Sequence, residues 1–153
     1  MERRVLGIPI VPLALGLAGL LPFLWGALTQ VSEGLHDWGS FALGPRFVAP
    51  YVGLFYGAVI LSFMSGVIWG FATRAAGRMA ALLYALSVVP ALWAFLFTGG
   101  GARAAATFLM FGFAGLLAID LLAQRAGLAP DWWMSLRVLL TAVVLFCLLP
   151  VAL

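Results

Sequence analysis

Five stretches of this chain run for about twenty residues each with almost no charge: about Ile8–Leu28, Pro50–Phe71, Met79–Phe97, Ala104–Leu122 and Ser135–Leu153. Wound as helices rising ~1.5 Å per residue, each reaches across the ~30 Å hydrocarbon core of a bilayer. Lipid offers the backbone no hydrogen-bond partner, so a segment that crosses it must satisfy its own N–H and C=O groups, which a helix does. The same residues exclude a water-soluble fold. Of the 153 residues, 65% are hydrophobic and 8% charged, whereas soluble domains are about 45–50% apolar and about 25% charged. The expectation is an all-α integral membrane protein, a single five-transmembrane-helix bundle over residues 1–153.

The polar links between these stretches set its threading. Thr73–Arg78 and Thr98–Arg103 are tight, which makes their flanking helices antiparallel neighbours; the second contains Gly99-Gly100-Gly101. Gln124–Met134 joins the last two spans and carries Pro130 and the Trp132-Trp133 pair. Thr29–Ala49 is longer, too polar to span and too aromatic for a free linker, and a short helix on the membrane surface is expected there. Every basic residue is an arginine. With the N-terminus inside, Arg3, Arg4, Arg74, Arg78, Arg125 and Arg137 fall on the inner side, and Arg46 and Arg103 on the outer. That asymmetry is the positive-inside pattern and predicts an N-in, C-out topology. A net charge of +3 rests on too few groups to suggest a nucleic-acid partner.

Two features of the ends need separate readings. Met1-Glu-Arg-Arg followed by an apolar run resembles a secretory signal, yet Val5–Leu28 is longer than the usual ~7–15-residue signal core, and no clean small-x-small cleavage site follows Trp25. An uncleaved first helix is expected. The single Cys147 has no cysteine to pair with and no Cys/His cluster around it, so it reads as a small buried hydrophobe.

Candidate functional residues are few. The second span carries an unbroken row of small residues at i+4 spacing, Ala58, Ser62, Gly66 and Gly70, with Gly53 and Gly57 offset and Ser65 and Trp69 beside it. Such rows let membrane helices approach closely, so this face is a helix-packing surface or, alternatively, a ligand groove. Asp120 and Arg137 lie at similar shallow depth near the inner ends of the fourth and fifth spans. An isolated charge in a span costs ~2.5–3.5 kcal/mol on insertion scales, which predicts a buried ion pair; the alternatives are a proton relay or a lipid-headgroup site. Glu33, His36 and Asp37 read as a solvated face of the outer loop and not as a metal set. Pro22 and Pro90 fall inside the first and third spans and would free the carbonyls of Ala18 and Leu86, with Ser87 near enough to help satisfy one. No Ser-His-Asp order, HExxH or DxxD-type motif occurs, so no catalytic, cofactor-binding or metal-binding residue is assigned.

Several strings occur together in one order: Leu20-Leu-Pro-Phe23, Tyr56-Gly-Ala-Val-Ile-Leu-Ser-Phe63 continuing to Gly66-Val-Ile-Trp-Gly70, Ser87-Val-Val-Pro90, Asp120, Pro130-Asp-Trp-Trp133 and Leu136-Arg-Val-Leu-Leu-Thr141. Together they resemble the transmembrane protein 69-like family, over nearly the whole chain. Met64-Ser65 departs from the small residues expected within the second string, which implies different packing there. The resemblance implies a five-helix bundle in a bacterial inner membrane or a mitochondrial setting, and it implies no reaction.

Three function classes follow. Packing faces, minimal soluble parts and the missing catalytic constellation favour a non-enzymatic accessory or assembly subunit of a larger membrane complex, respiratory or photosynthetic, in the bacterial inner membrane. The second class is binding or transport of a small apolar or amphipathic molecule such as quinone or lipid, near Trp69, Asp120 and Arg137. A membrane-embedded enzyme is the third. An odd number of spans without internal similarity argues against an inverted-repeat transporter.

Overall fold

A computed structural model of the chain describes residues 4–153. Five helical stretches are long and apolar enough to cross a membrane: Ile10–Val31, Tyr51–Ala72, Gly77–Phe97, Ala102–Arg125 and Trp133–Ala152. Their outward faces carry large apolar side chains such as Phe63, Phe95, Phe111 and Phe146, each well exposed. A patch of that extent is untenable in water and is the surface that lipid covers.

The first span departs from a single helix. Arg4–Val5 (β1) and Ile8–Pro9 (β2) pair antiparallel, turning through Leu6 and Gly7. Both turn residues have positive φ, 55° and 78°, the signature of the tight turn that two-residue hairpins favour. Then α1 (Ile10–Ala18) ends and α2 (Leu21–Val31) begins after a break at Gly19-Leu20. Pro22 accounts for the break. A proline inside a continuous helix would leave the Ala18 carbonyl stranded, whereas in the first turn of a new helix its missing N–H costs nothing. Gly19 and Leu20 keep helical φ/ψ between the two, so α1 and α2 form one span with a kink ahead of Pro22.

In the polar segment, α3 (Glu33–Leu43) is capped by Ser32, whose Oγ accepts from the Leu35 N–H at 3.4 Å. Its buried Gly39 faces Trp25 and Val48, while Leu35, Trp38 and Phe41 project outward. This is an amphipathic helix outside the spans. A 3-10 turn at Pro45–Phe47 follows, and Trp25 Nε1 donates to the Phe47 carbonyl at 2.6 Å, tying the segment back to α2.

The remaining helices are α4 (Tyr51–Ala72), α5 (Gly77–Phe97), α6 (Ala102–Arg125) and α7 (Trp133–Ala152). Helix α4 packs on α2, α5 and α6; α6 packs on α4, α5 and α7; α2 closes the other side against α7. Leu61 and Ile68 from α4 meet Leu109, Phe113 and Leu116 from α6 in the buried centre. Pro90 lies within a continuous α5. Ser87 does not relieve it as expected, since its Oγ donates to the Tyr84 carbonyl at 2.7 Å. Ser65 of α4 instead accepts from the Ala91 N–H, at 2.9 Å.

Close packing also falls elsewhere than the row on the second span suggested. In that row Ser62, Gly66 and Gly70 are exposed, and a Cβ on Gly66 or Gly70 would meet nothing within 4 Å. The tight approach is at Gly112 of α6, where a Cβ would sit 2.6 Å from Leu61 Cδ2 and 2.9 Å from Trp93 Cδ1. Trp93 cannot easily give way, because its Nε1 donates to the Phe108 carbonyl at 2.7 Å. Overpacking of this kind costs ~1–3 kcal/mol. Gly112→Ala is therefore expected to lower the unfolding temperature in detergent, while Gly66→Ala leaves it unchanged or raises it. A loss of stability in Gly66→Ala comparable to that in Gly112→Ala would contradict this placement of the helices.

Candidate functional site

The α6–α7 link is short and held at several points. Gly127 turns with φ of 71°, Gln124 Nε2 donates to the Asp131 carbonyl at 3.0 Å, and Arg74 Nη1 donates to the Leu128 carbonyl at 3.0 Å. The last contact joins the α4–α5 and α6–α7 links at one end of the bundle. Ile8 of the N-terminal hairpin reaches the same end, packed with Leu13 and Leu136.

This reversal lays the last turns of α6 over the first turns of α7. Trp133, Arg137 and Thr141 follow one another at i+4 spacing and so share a helix face. That face looks at Asp120. Arg137 Nε donates to Asp120 Oδ2 at 2.7 Å, and Trp133 Nε1 donates to Asp120 Oδ1 at 2.8 Å. Asp120 is fully buried and Arg137 is 5% exposed. Each carboxylate oxygen thus has a donor. The arrangement meets the requirement for burying charge, an opposite charge in contact with further hydrogen bonds around it.

The guanidinium is not fully used. Among the described residues, two buried side-chain polar atoms lack a hydrogen-bond partner, Arg137 Nη2 and Thr141 Oγ1. Both residues line one cavity of about 230 Å³ enclosed by α1, α2, α4, α6 and α7. Its other walls are apolar and include Phe23, Met64, Phe113 and Leu140.

The remaining sequence candidates lie apart from this cavity. Ser65, Gly66 and Trp69 line a shallow groove between α4 and α5 together with Ser87 and Leu92. Ser65 Oγ accepts from the Ala91 N–H and Ser87 Oγ donates to the Tyr84 carbonyl, so each of the groove's two hydroxyls has a backbone partner. Ala58, Ser62 and Gly70 do not line it, and the Ser62 hydroxyl donates to the Ala58 carbonyl at 2.8 Å. At the other end of the bundle, His36 Nδ1 lies 3.6 Å from Asp37 Oδ1, and its Nε2 lies 3.2 Å from the Ala49 carbonyl oxygen. Among the described residues no group of three metal-type side chains comes together. Sequence reasoning paired Asp120 with Arg137 but missed Trp133 and Thr141. Their signal was the i+4 spacing on either side of Arg137.

Removing one member of a buried ion pair strands the other, at a cost of ~3–5 kcal/mol. Asp120→Asn and Arg137→Gln are each expected to destabilise the protein by about that much, and the double substitution to recover part of the loss. Unfolding free energies in bicelles check this, and strictly additive losses would show that the two groups do not act as a pair.

Comparison with known proteins agrees with this architecture. Residues 8–153 match the family described as "Protein of unknown function (DUF3429)". The chain is 34% identical over 144 residues to "Transmembrane protein 69" of Xenopus tropicalis, an alignment covering 92% of this chain and 53% of that protein. The chain therefore spans about half the length of that relative. No solved structure matches. With matches that run nearly end to end over the five spans, the chain belongs to the DUF3429 family of transmembrane protein 69-like proteins.

Proposed function

We propose that this protein is a non-enzymatic accessory or assembly subunit of a larger, energy-transducing membrane complex, respiratory or photosynthetic, in the bacterial inner membrane. The observation that carries the reading is the open small-residue row on α4. Ser62, Gly66 and Gly70 are exposed, and a Cβ on either glycine would meet nothing within 4 Å; helix association in lipid relies on such surfaces. The polar links outside the spans are short, which leaves little room for a soluble catalytic part.

If a partner helix seats on this row, bulk there should disturb association and not folding. Gly66→Leu is expected to leave expression and unfolding temperature near wild type while removing the protein from its complex in mild detergent. Co-migration with the complex undiminished in Gly66→Leu would show that the row faces lipid. The complex recovered with the wild-type chain also tests the energy-transducing assignment.

The orientation proposed is N-in, C-out. What supports it is that Arg4, Arg74 and Arg125 stand at one end of the bundle and Arg46 and Arg103 at the other, the asymmetry expected of a cytoplasmic and an outer face. Reporter fusions in the Arg74–Arg78 and Gln124–Arg125 links should read as cytoplasmic, and a fusion at Leu153 as outside. A cytoplasmic Leu153 would overturn the orientation.

A second reading, binding of a small amphipathic molecule such as quinone or lipid, is favoured by the cavity beside Arg137. Apolar pockets with a few convergent polar groups are the usual form of small-molecule sites.

A further inference from the structure

We propose that the groove between the Pro45–Phe47 turn, α2 and α4 holds one glycerophospholipid, its phosphate on Arg46 and one acyl chain lying along α4. The proposal rests on the second reading above, that the protein binds an amphipathic molecule. It sets that molecule on the lipid-facing side of α4 instead of beside Arg137, and it names its class.

Charge comes first. Arg46 is exposed, and its guanidinium carbon Cζ lies over the Phe55 ring, 4.9 Å from the centroid. A ring satisfies the charge only in part and leaves N–H donors of the guanidinium open. The ion pairs among the described residues are His36–Asp37 and Asp120–Arg137, so no carboxylate of these residues sits on Arg46. A phosphate is the complementary group. The planar fork of N–H donors matches two of its oxygens in a charge-assisted, bidentate pair.

Depth agrees with a headgroup. Phe55 is one turn into α4, ~6 Å from its start. Tyr51 stacks on Phe55 from that start, with ring centroids 6.1 Å apart, and Trp38 of α3 packs edge-on against Trp25 of α2 at 6.2 Å. Tyrosine and tryptophan gather where headgroups meet hydrocarbon. The 22 residues of α4 make a helix about as long as the ~30 Å hydrocarbon core is thick. The guanidinium is therefore held at the boundary where lipid phosphates lie.

Shape accounts for the chain. Val52, Phe55, Tyr56 and Val59 recur at i, i+3, i+4 and i+7 along one face of α4. With Pro22 of α2, Arg46 and Phe47 they line a groove of about 240 Å³. Val52 is buried and forms its floor, while Phe47, Phe55 and Val59 are 53%, 50% and 62% exposed, so the groove is open to lipid at its side. From Val52 to Val59 it runs ~10 Å, which takes the upper part of one acyl chain. An open side lets the second chain stay in the bilayer. Phospholipid is also the most concentrated amphiphile there, and mass action favours it over any scarcer one.

The full chain, purified in detergent and stripped of lipid, would be titrated with three probes. Dioleoylphosphatidylglycerol carries its phosphate as its only charge, dioleoylglycerol has the same chains and no phosphate, and oleate is a single chain with a carboxylate. Native mass spectrometry reads stoichiometry and affinity. One equivalent of the phospholipid is expected to bind about ten-fold or more tighter than dioleoylglycerol, as hydrogen bonds to a charged group contribute. Arg46→Gln should remove that advantage and leave dioleoylglycerol binding unchanged. Val59→Trp should fill the groove and weaken both lipids. Both positions are exposed, so each stripped variant should unfold at the wild-type temperature. A phospholipid preference that survives Arg46→Gln overturns the proposal and leaves the amphiphile reading standing, as does oleate binding as tightly as the phospholipid. No one-to-one complex with any of the three overturns both.

Discussion

A bilayer core supplies no hydrogen bonds, so every polar group carried into it must find its partner within the protein. Most of this structure's details are consequences of that constraint. Threonine and serine hydroxyls within the spans turn back to their own helix, as Ser62 does to the Ala58 carbonyl, Ser87 to Tyr84 and Thr107 to Arg103. Where one helix leaves a backbone group free, a neighbour answers it, as Ser65 of α4 does for the Ala91 N–H beyond Pro90. The indole N–H groups are drawn in the same way, Trp93 to the Phe108 carbonyl and Trp133 to Asp120. The Asp120–Arg137 pair is the most demanding case, since it buries full charges and fixes α6 against α7 by satisfying them.

The sequence exposed those features that depend on the solvent and hid those that depend on neighbours. Span number and approximate ends follow from hydropathy and length alone, because lipid treats every apolar stretch alike. The Asp120–Arg137 pairing was legible for the same reason: two charges at one depth in an apolar medium have few other ways to be accommodated. Pro22 was read as a kink at Ala18, and the span does bend there, through Gly19 and Leu20 that keep helical φ/ψ. What hydropathy does not give is the neighbours of each half: α1 packs on α7, and α2 on both α4 and α7. The hairpin at Arg4–Pro9 left no such trace, since its turn uses Leu6 at positive φ, a position where leucine is uncommon.

The small-residue row shows the limit of pattern reading most directly. Spacing identifies a face on which helices can approach closely, yet it does not say whether the approaching helix belongs to the same chain. Within this chain close approaches are made at Gly112 against Leu61 and Trp93, and at Gly57, one of the offset pair on α4, against Leu109. The row of Ser62, Gly66 and Gly70 is left open. The opposite outcomes come from orientation: α4 turns Leu61, Met64, Ser65 and Ile68 inward, and a helix cannot present both faces to one core.

The cavity beside Arg137 follows from the same rules applied to a site where they are not fully met. Among the buried side chains of the described residues, the two atoms without a partner fall on one face of α7. They belong to residues one helical turn apart, each atom is closed off from any molecule the size of a water, and the charge beside them is already neutralised. The wall made by Gly16 and Gly19 is itself close-packed: a Cβ on Gly16 would sit 3.0 Å from Leu140 Cδ1, so the missing side chain is what lets α1 approach α7. Asp120 and Trp133 fix α7 in register against α6 and balance the Arg137 charge, and the guanidinium donor left over at Nη2 is what that register does not satisfy.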